Sequence, residues 1–95
     1  MRNDSYYTLA FDSTHMAVAA EKYLSARIAV SVMPTPRKIT ASCGISLRVE
    51  LEDGQRLMEA LEGNVSLVTQ SRLYMVKNGE VEPVEIGGSD SGKQL

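Results

Sequence analysis

The segment Ile45-Ser46-Leu47-Arg48-Val49-Glu50-Leu51 alternates apolar and polar residues without a break, and this period of two constrains the fold more than any other stretch. Successive side chains of a strand point to opposite faces, so such a strand has one dry face and one wet face. Strands of this kind belong to antiparallel sheets covered on one side rather than to parallel sheets buried on both. Something else in the chain must therefore cover the dry face, and two stretches are patterned to do so. Residues 14–26 put Met16, Ala19, Ala20, Tyr23 and Leu24 on one helical stripe, leave Glu21, Lys22 and Ser25 off it, and follow the capping residues Asp12, Ser13 and Thr14. A second helix, opened by Asp53 and stopped by Gly63, lines up Leu57, Met58, Leu61 and Val65.

The remaining patterned segments read as strands. Residues 6–11 place Tyr7, Leu9 and Phe11 on one face and Tyr6, Thr8 and Ala10 on the other. Residues 28–33 alternate Ile28, Val30 and Val32 with Ala29, Ser31 and Met33; Pro34 and Pro36 stop this strand because proline has no amide hydrogen for a ladder. Residues 72–77 and 81–86 flank Asn78-Gly79, a two-residue hairpin signal, and Pro83 puts the second of them at a sheet edge. The order predicts an α+β fold: a ferredoxin-like βαββαβ two-layer sandwich with a short extra C-terminal edge strand. An α+β sandwich of another strand order is the alternative. Residues 1–86 are expected to form a single domain. The glycine- and serine-rich residues 87–95 are expected to be a disordered tail.

Composition narrows the function. A chain of 95 residues fits one domain, and 43% apolar with 23% charged residues suits a packed core. A net charge of -2 offers no basic surplus for a phosphate backbone, so no nucleic-acid partner is expected. No long apolar run follows Met1, and no stretch approaches the ~20 apolar residues of a membrane span, so neither a signal peptide nor a membrane partner is expected. One cysteine excludes an internal disulfide and points to a reducing, cytoplasmic setting. One cysteine with one histidine cannot fill a tetrahedral zinc site without carboxylates or a second chain, and no glycine-rich phosphate loop is present, so no metal and no cofactor are expected.

That cysteine, Cys43, lies in residues 33–44 among two prolines, Arg37, Lys38, the hydroxyls of Thr35, Thr40 and Ser42, and Gly44. This is the composition of a loop, which predicts a thiol near the surface. If strand 1 and strand 2 are joined by a helical crossover, they run parallel and their following loops leave the sheet at the same end. Cys43 would then approach Ser13, Thr14 and His15 at the start of the first helix. A helix N-terminus has unpaired amide hydrogens and a partial positive charge that favour an anion. His15, if protonated, and Arg37 or Lys38 would add to that field, and Gly44 would allow close backbone approach or a positive φ. Each residue also has a plainer reading. Cys43 can be a small buried hydrophobe, His15 a surface side chain, Arg37 and Lys38 solvated charges, and Ser13 and Thr14 ordinary caps; Met16, Met33, Met58 and Met75 read as core filler.

Four segments in this order, Phe11-Asp12-Ser13-Thr14-His15, Ala19-Ala20-Glu21-Lys22, Pro34-Thr35-Pro36-Arg37 and Ser42-Cys43-Gly44, make the chain resemble the selenium/sulfur (Se/S) carrier protein-like family of small bacterial proteins. The resemblance covers the first half of the chain well and the second in outline. It implies a carrier, more than an independent enzyme, that holds a persulfide or selenopersulfide on Cys43. Ser13, Thr14, His15, Arg37 and Gly44 would be the surrounding motif positions. It also implies two partners: a sulfur or selenium donor such as a cysteine desulfurase, and an acceptor enzyme. Two other readings stand beside it. One is a non-catalytic ligand- or protein-binding regulatory module with a structural cysteine, whose 81–86 edge can pair across a homodimer. The other is a thiol redox sensor.

Overall fold

The computed structural model describes residues 5–86; the tail expected at 87–95 lies outside them. The chain forms β1 (Ser5–Phe11), α1 (Thr14–Ser25), β2 (Ser31–Pro34), β3 (Ile45–Glu50), a 3-10 turn (Leu51–Asp53), α2 (Gly54–Glu62), α3 (Val65–Thr69), β4 (Ser71–Lys77) and β5 (Glu80–Val84). The fold is α+β, with one five-stranded sheet in the order β2-β3-β1-β4-β5. Every neighbouring pair is antiparallel. Since β1 and β2 both run against β3, they are parallel to each other, and the segments that follow them leave the sheet at the same end. The sheet has five strands where a βαββαβ pattern has four, because β5 adds to the outer edge of β4. The β4–β5 turn places Asn78 at φ 52° and Gly79 at φ 86°, the left-handed pair that a two-residue hairpin requires.

Leu9 and Phe11 of β1, Leu47 and Val49 of β3 and Leu73 of β4 share one face and form a single buried cluster with Ala17, Ala20, Leu24, Leu57, Leu61 and Leu67. The helices therefore cover one side of the sheet, and hydrophobic burial ties α1, α2 and α3 to it. The opposite face carries no helix, yet its centre is dry: Thr8, Ala10 and Ser46 are fully buried. Long side chains cover parts of it, with the Arg48 guanidinium 4.0 Å from the Tyr6 ring centre and 2.9 Å from Glu50. Ser46 was expected on the wet side of its strand and instead lies closed off beneath the chain that follows β2.

Several expectations need correction. α1 buries Ala17, Ala20 and Leu24, while Ala19 faces solvent; the stripe is rotated because the small residues Ala17 and Ala20 let the helix lie close to the sheet. The second strand begins at Ser31 rather than at residue 28. The Ile28 amide donates to the Leu24 carbonyl at 2.7 Å, so the end of α1 keeps Ile28 in the core and out of the ladder. Val65 does not extend α2. It opens α3, an unforeseen helix capped by Asn64, and is 72% exposed.

Candidate functional site around Cys43

β1 ends at Phe11, and Ser13 caps α1 by accepting the Met16 amide on its hydroxyl at 3.1 Å. This turn presents the Phe11 carbonyl and the Thr14 side chain toward the segment that joins β2 to β3. The Cys43 amide donates to the Phe11 carbonyl at 3.2 Å, and Cys43 Sγ lies 3.6 Å from Thr14 Oγ1. The thiol thus sits at the first turn of α1, at the positive end of its backbone dipole. On its other side, the Ile45 amide donates to Sγ at 3.5 Å. Sulfur accepts weakly as a thiol and more strongly as an anion. The Thr14 hydroxyl and the Ile45 amide are therefore two groups able to donate to the sulfur.

The surface position expected for the thiol is wrong. Cys43 is 4% exposed and belongs to the core cluster. Arg37, Lys38, Ser42 and Gly44 do face solvent. Loop composition reports the exposure of most residues in a loop, whereas this side chain is turned inward and behaves as a small hydrophobe. Gly44 also differs from its expected role. Its φ is not positive, and a Cβ built on it would meet no atom within 4 Å, so neither close approach nor a left-handed conformation requires glycine there.

Of the motif residues, the structure brings Thr14 to the sulfur, places Ser13 one residue before it as cap, and puts Gly44 next to it in the chain. His15 and Arg37 are exposed, and the groups that bond to Sγ are the Thr14 hydroxyl and the Ile45 amide instead. Two hydroxyl residues were not singled out beforehand. Thr35 Oγ1 donates to the Cys43 carbonyl at 3.1 Å and lies 2.7 Å from Ser46 Oγ. The threonine hydrogen is committed to the carbonyl, so Ser46 is the donor in the second bond. The Thr35 amide donates to the Gly44 carbonyl at 3.0 Å. A signal for Thr35 existed in the sequence: between Pro34 and Pro36 it is the one residue that retains an amide hydrogen.

Farther out, Arg72 ties the loop to the end of β1. Its guanidinium donates to the Thr40 carbonyl at 3.1 Å and pairs with Asp12 at 3.3 Å. Cavities of about 190 Å³, lined by residues that include Met16, Tyr23 and Leu67, and of about 430 Å³, lined by residues that include Arg27, Arg56 and Glu59, lie on the helix side, and Cys43 lines neither. Among the described residues, no group of three or more His, Cys, Asp or Glu is placed to hold a metal ion, and no helix is long and apolar enough to cross a membrane.

The model of a family described as "Putative Se/S carrier protein-like" matches residues 6–71, a span that runs from Tyr6 in β1 to Ser71 at the start of β4 and takes in the whole Cys43 loop. No curated protein and no solved structure matches the chain.

Proposed function

The chain belongs to the Se/S carrier protein-like family, and on that premise we propose that it carries a single sulfur or selenium atom on Cys43 between a donor and an acceptor enzyme. The observation that supports this most directly is the seat of Sγ between the Thr14 hydroxyl and the Ile45 amide at the start of α1. In the loading step the Cys43 thiolate attacks the outer sulfur of a donor persulfide, such as that of a cysteine desulfurase. A new bond forms from Sγ to the sulfane sulfur, the donor's S–S bond breaks, and the donor cysteine leaves with the electron pair as its thiolate. Delivery repeats the exchange with the acceptor as nucleophile. No net oxidation occurs in either step. The chain has no second cysteine to attack the persulfide from within, so delivery is intermolecular. The protein then acts as a carrier and not as an enzyme with independent turnover, and it works in the reducing cytoplasm, where thiols persist.

A persulfide or selenopersulfide anion on Cys43 extends toward the first turn of α1, where Thr14 and the helix dipole favour negative charge. Ser13 contributes by shaping that turn, and the exposed Arg37, with His15 when protonated, adds positive charge. The order β2-β3-β1-β4, with α1 between β1 and β2 and the later helices between β3 and β4, supports assigning the core to the ferredoxin-like class.

Incubation with a cysteine desulfurase and cysteine, followed by cyanide treatment of the repurified protein, tests the proposal. Stoichiometric thiocyanate from the wild type and none from Cys43→Ser is the expected result; no thiocyanate from either would overturn it. The burial of Cys43 favours a second reading, a binding module in which the cysteine fills the core. Under that reading neither protein releases thiocyanate, and Cys43→Ser changes stability alone.

A further inference from the structure

Cys43 is only 4% exposed as a residue, too closed for its sulfur to meet that of another protein, because exchange requires direct attack along the S–S bond. Accepting the carrier reading, Cys43 must emerge to react. We infer that Thr35 is the positioning residue that keeps Cys43 retracted, and that release of its hydroxyl from the Cys43 carbonyl admits a partner to the sulfur.

The restraints on Cys43 are unequal. Its contacts at sulfur are long, 3.5 and 3.6 Å, and weak while the thiol is neutral. Its amide donates to a single carbonyl among the described residues, that of Phe11. Thr35, by contrast, acts on two successive carbonyls, donating from its hydroxyl to the Cys43 carbonyl and from its amide to the Gly44 carbonyl. The amide bond prolongs the β2–β3 ladder one step past the Pro34–Ile45 pair, so the backbone of Thr35 is fixed as part of the sheet. Pro34 and Pro36 stiffen it further, each with a restricted φ. The side chain is seated by Ser46, fully buried on β3. Thr35 is therefore a rigid post, and its hydroxyl is the removable contact.

The loop around this contact is arranged for a small movement. Gly44 is exposed with open space about its α-carbon, so the Cys43 peptide can turn there without a clash. The remainder of the loop has its own anchors: Ile39 is buried, its amide donates to the Pro36 carbonyl, and Arg72 grips the Thr40 carbonyl. Loss of the Thr35 hydroxyl bond frees the peptide at Cys43 and leaves residues 36–40 in place.

The test is the rate at which iodoacetamide alkylates Cys43 in the folded protein. Thr35→Val keeps the shape and removes the hydroxyl; it is expected to raise the rate threefold to tenfold, the range set by one net hydrogen bond. Thr35→Ser restores the donor and is expected to return the rate to the wild-type value. In low urea the Thr35→Val rate should stay flat, because local opening exposes little surface; a rate that climbs with urea as global unfolding does would overturn the inference. An unchanged rate in Thr35→Val would overturn it as well. Gly44→Ala, which stiffens the turning point and meets no atom, is expected to slow alkylation and provides a second variant should Thr35→Val fold poorly; an unaltered rate there would count against the movement. Iodoacetamide needs no sulfur-transfer chemistry, so the two proposals separate. Alkylation that follows Thr35 in a protein that never loads sulfur sinks the carrier reading, whereas loading without any effect of Thr35 sinks the latch alone.

Discussion

Thr8 and Ser46 lie on the same helix-free face of adjacent strands and are both fully buried, but only Ser46 has a partner. Thr8 Oγ1 makes no hydrogen bond, and a buried hydroxyl without a partner costs free energy that an isosteric methyl does not. Thr8→Val is therefore expected to raise stability by about 1 kcal/mol, read as a higher midpoint in urea denaturation; a lower midpoint would mean that the hydroxyl is bonded in solution. Thr14 is the opposite case, a residue kept for its oxygen. Thr14→Val removes a donor from beside the sulfur and is expected to shorten the lifetime of a persulfide on Cys43 about tenfold, the effect of one hydrogen bond to a charged group. Thr14→Ser should restore the lifetime, and equal decay in all three proteins would remove Thr14 from the site. Of these residues the sequence made Thr14 legible, because a hydroxyl in a capping position before an amphipathic stripe is a local pattern. Thr35 left a local trace in its place between two prolines, but its partnership with Ser46 was not legible, because that contact joins the exit of one strand to the start of the next.

Among the elements, β3 and the β4–β5 hairpin could be read directly, since alternation and Asn78-Gly79 are signals confined to a few neighbouring residues. α3 could not. Val65-Ser66-Leu67-Val68-Thr69 favours extended structure by propensity, and five residues are too few to show a helical period. Its helical form depends on its ends: Asn64 Oδ1 accepts the Leu67 amide at 3.1 Å, and Ser71 Oγ donates to the Leu67 carbonyl at 2.7 Å. So short a helix has little else to hold it beyond the buried Leu67. Asn64→Ala is accordingly expected to cost about 1 kcal/mol and to speed amide exchange in residues 65–69 ahead of the sheet. Uniform exchange in the two proteins would place the stability of α3 in Leu67 instead. The contraction of β2 has a comparable origin. The tightened end of α1 draws Ile28, the first residue that alternation assigned to the strand, back toward the helix through its amide bond to the Leu24 carbonyl, and the Arg27 guanidinium, 2.7 Å from the Tyr23 carbonyl, fastens the same turn.

For the molecule as a whole, the antiparallel sheet and its helical cover follow from hydrophobic patterning, and the placement of Cys43 against α1 follows from β1 and β2 being parallel. The depth of Cys43 does not follow from either, because it depends on how a loop folds back on the end of β1. Leu47 lies at the centre of the core, paired across the sheet with Leu9 and Val32, and is fully buried. Leu47→Ala is expected to cost about 3 kcal/mol. That is a large part of the ~5–15 kcal/mol that stabilises a domain of this size, so the loss should appear as a marked fall in both the urea midpoint and the melting temperature. A loss below about 1 kcal/mol would show that the core is not organised around this position. The central claim, that Cys43 carries the cargo, is tested most directly by intact-mass spectrometry after incubation with a cysteine desulfurase and cysteine, followed by peptide mapping. The account predicts a gain of one sulfur atom, reversible by reductant, on the peptide that contains Cys43 and absent from Cys43→Ser; an unmodified wild-type mass, in a protein whose thiol is demonstrably free, would contradict it.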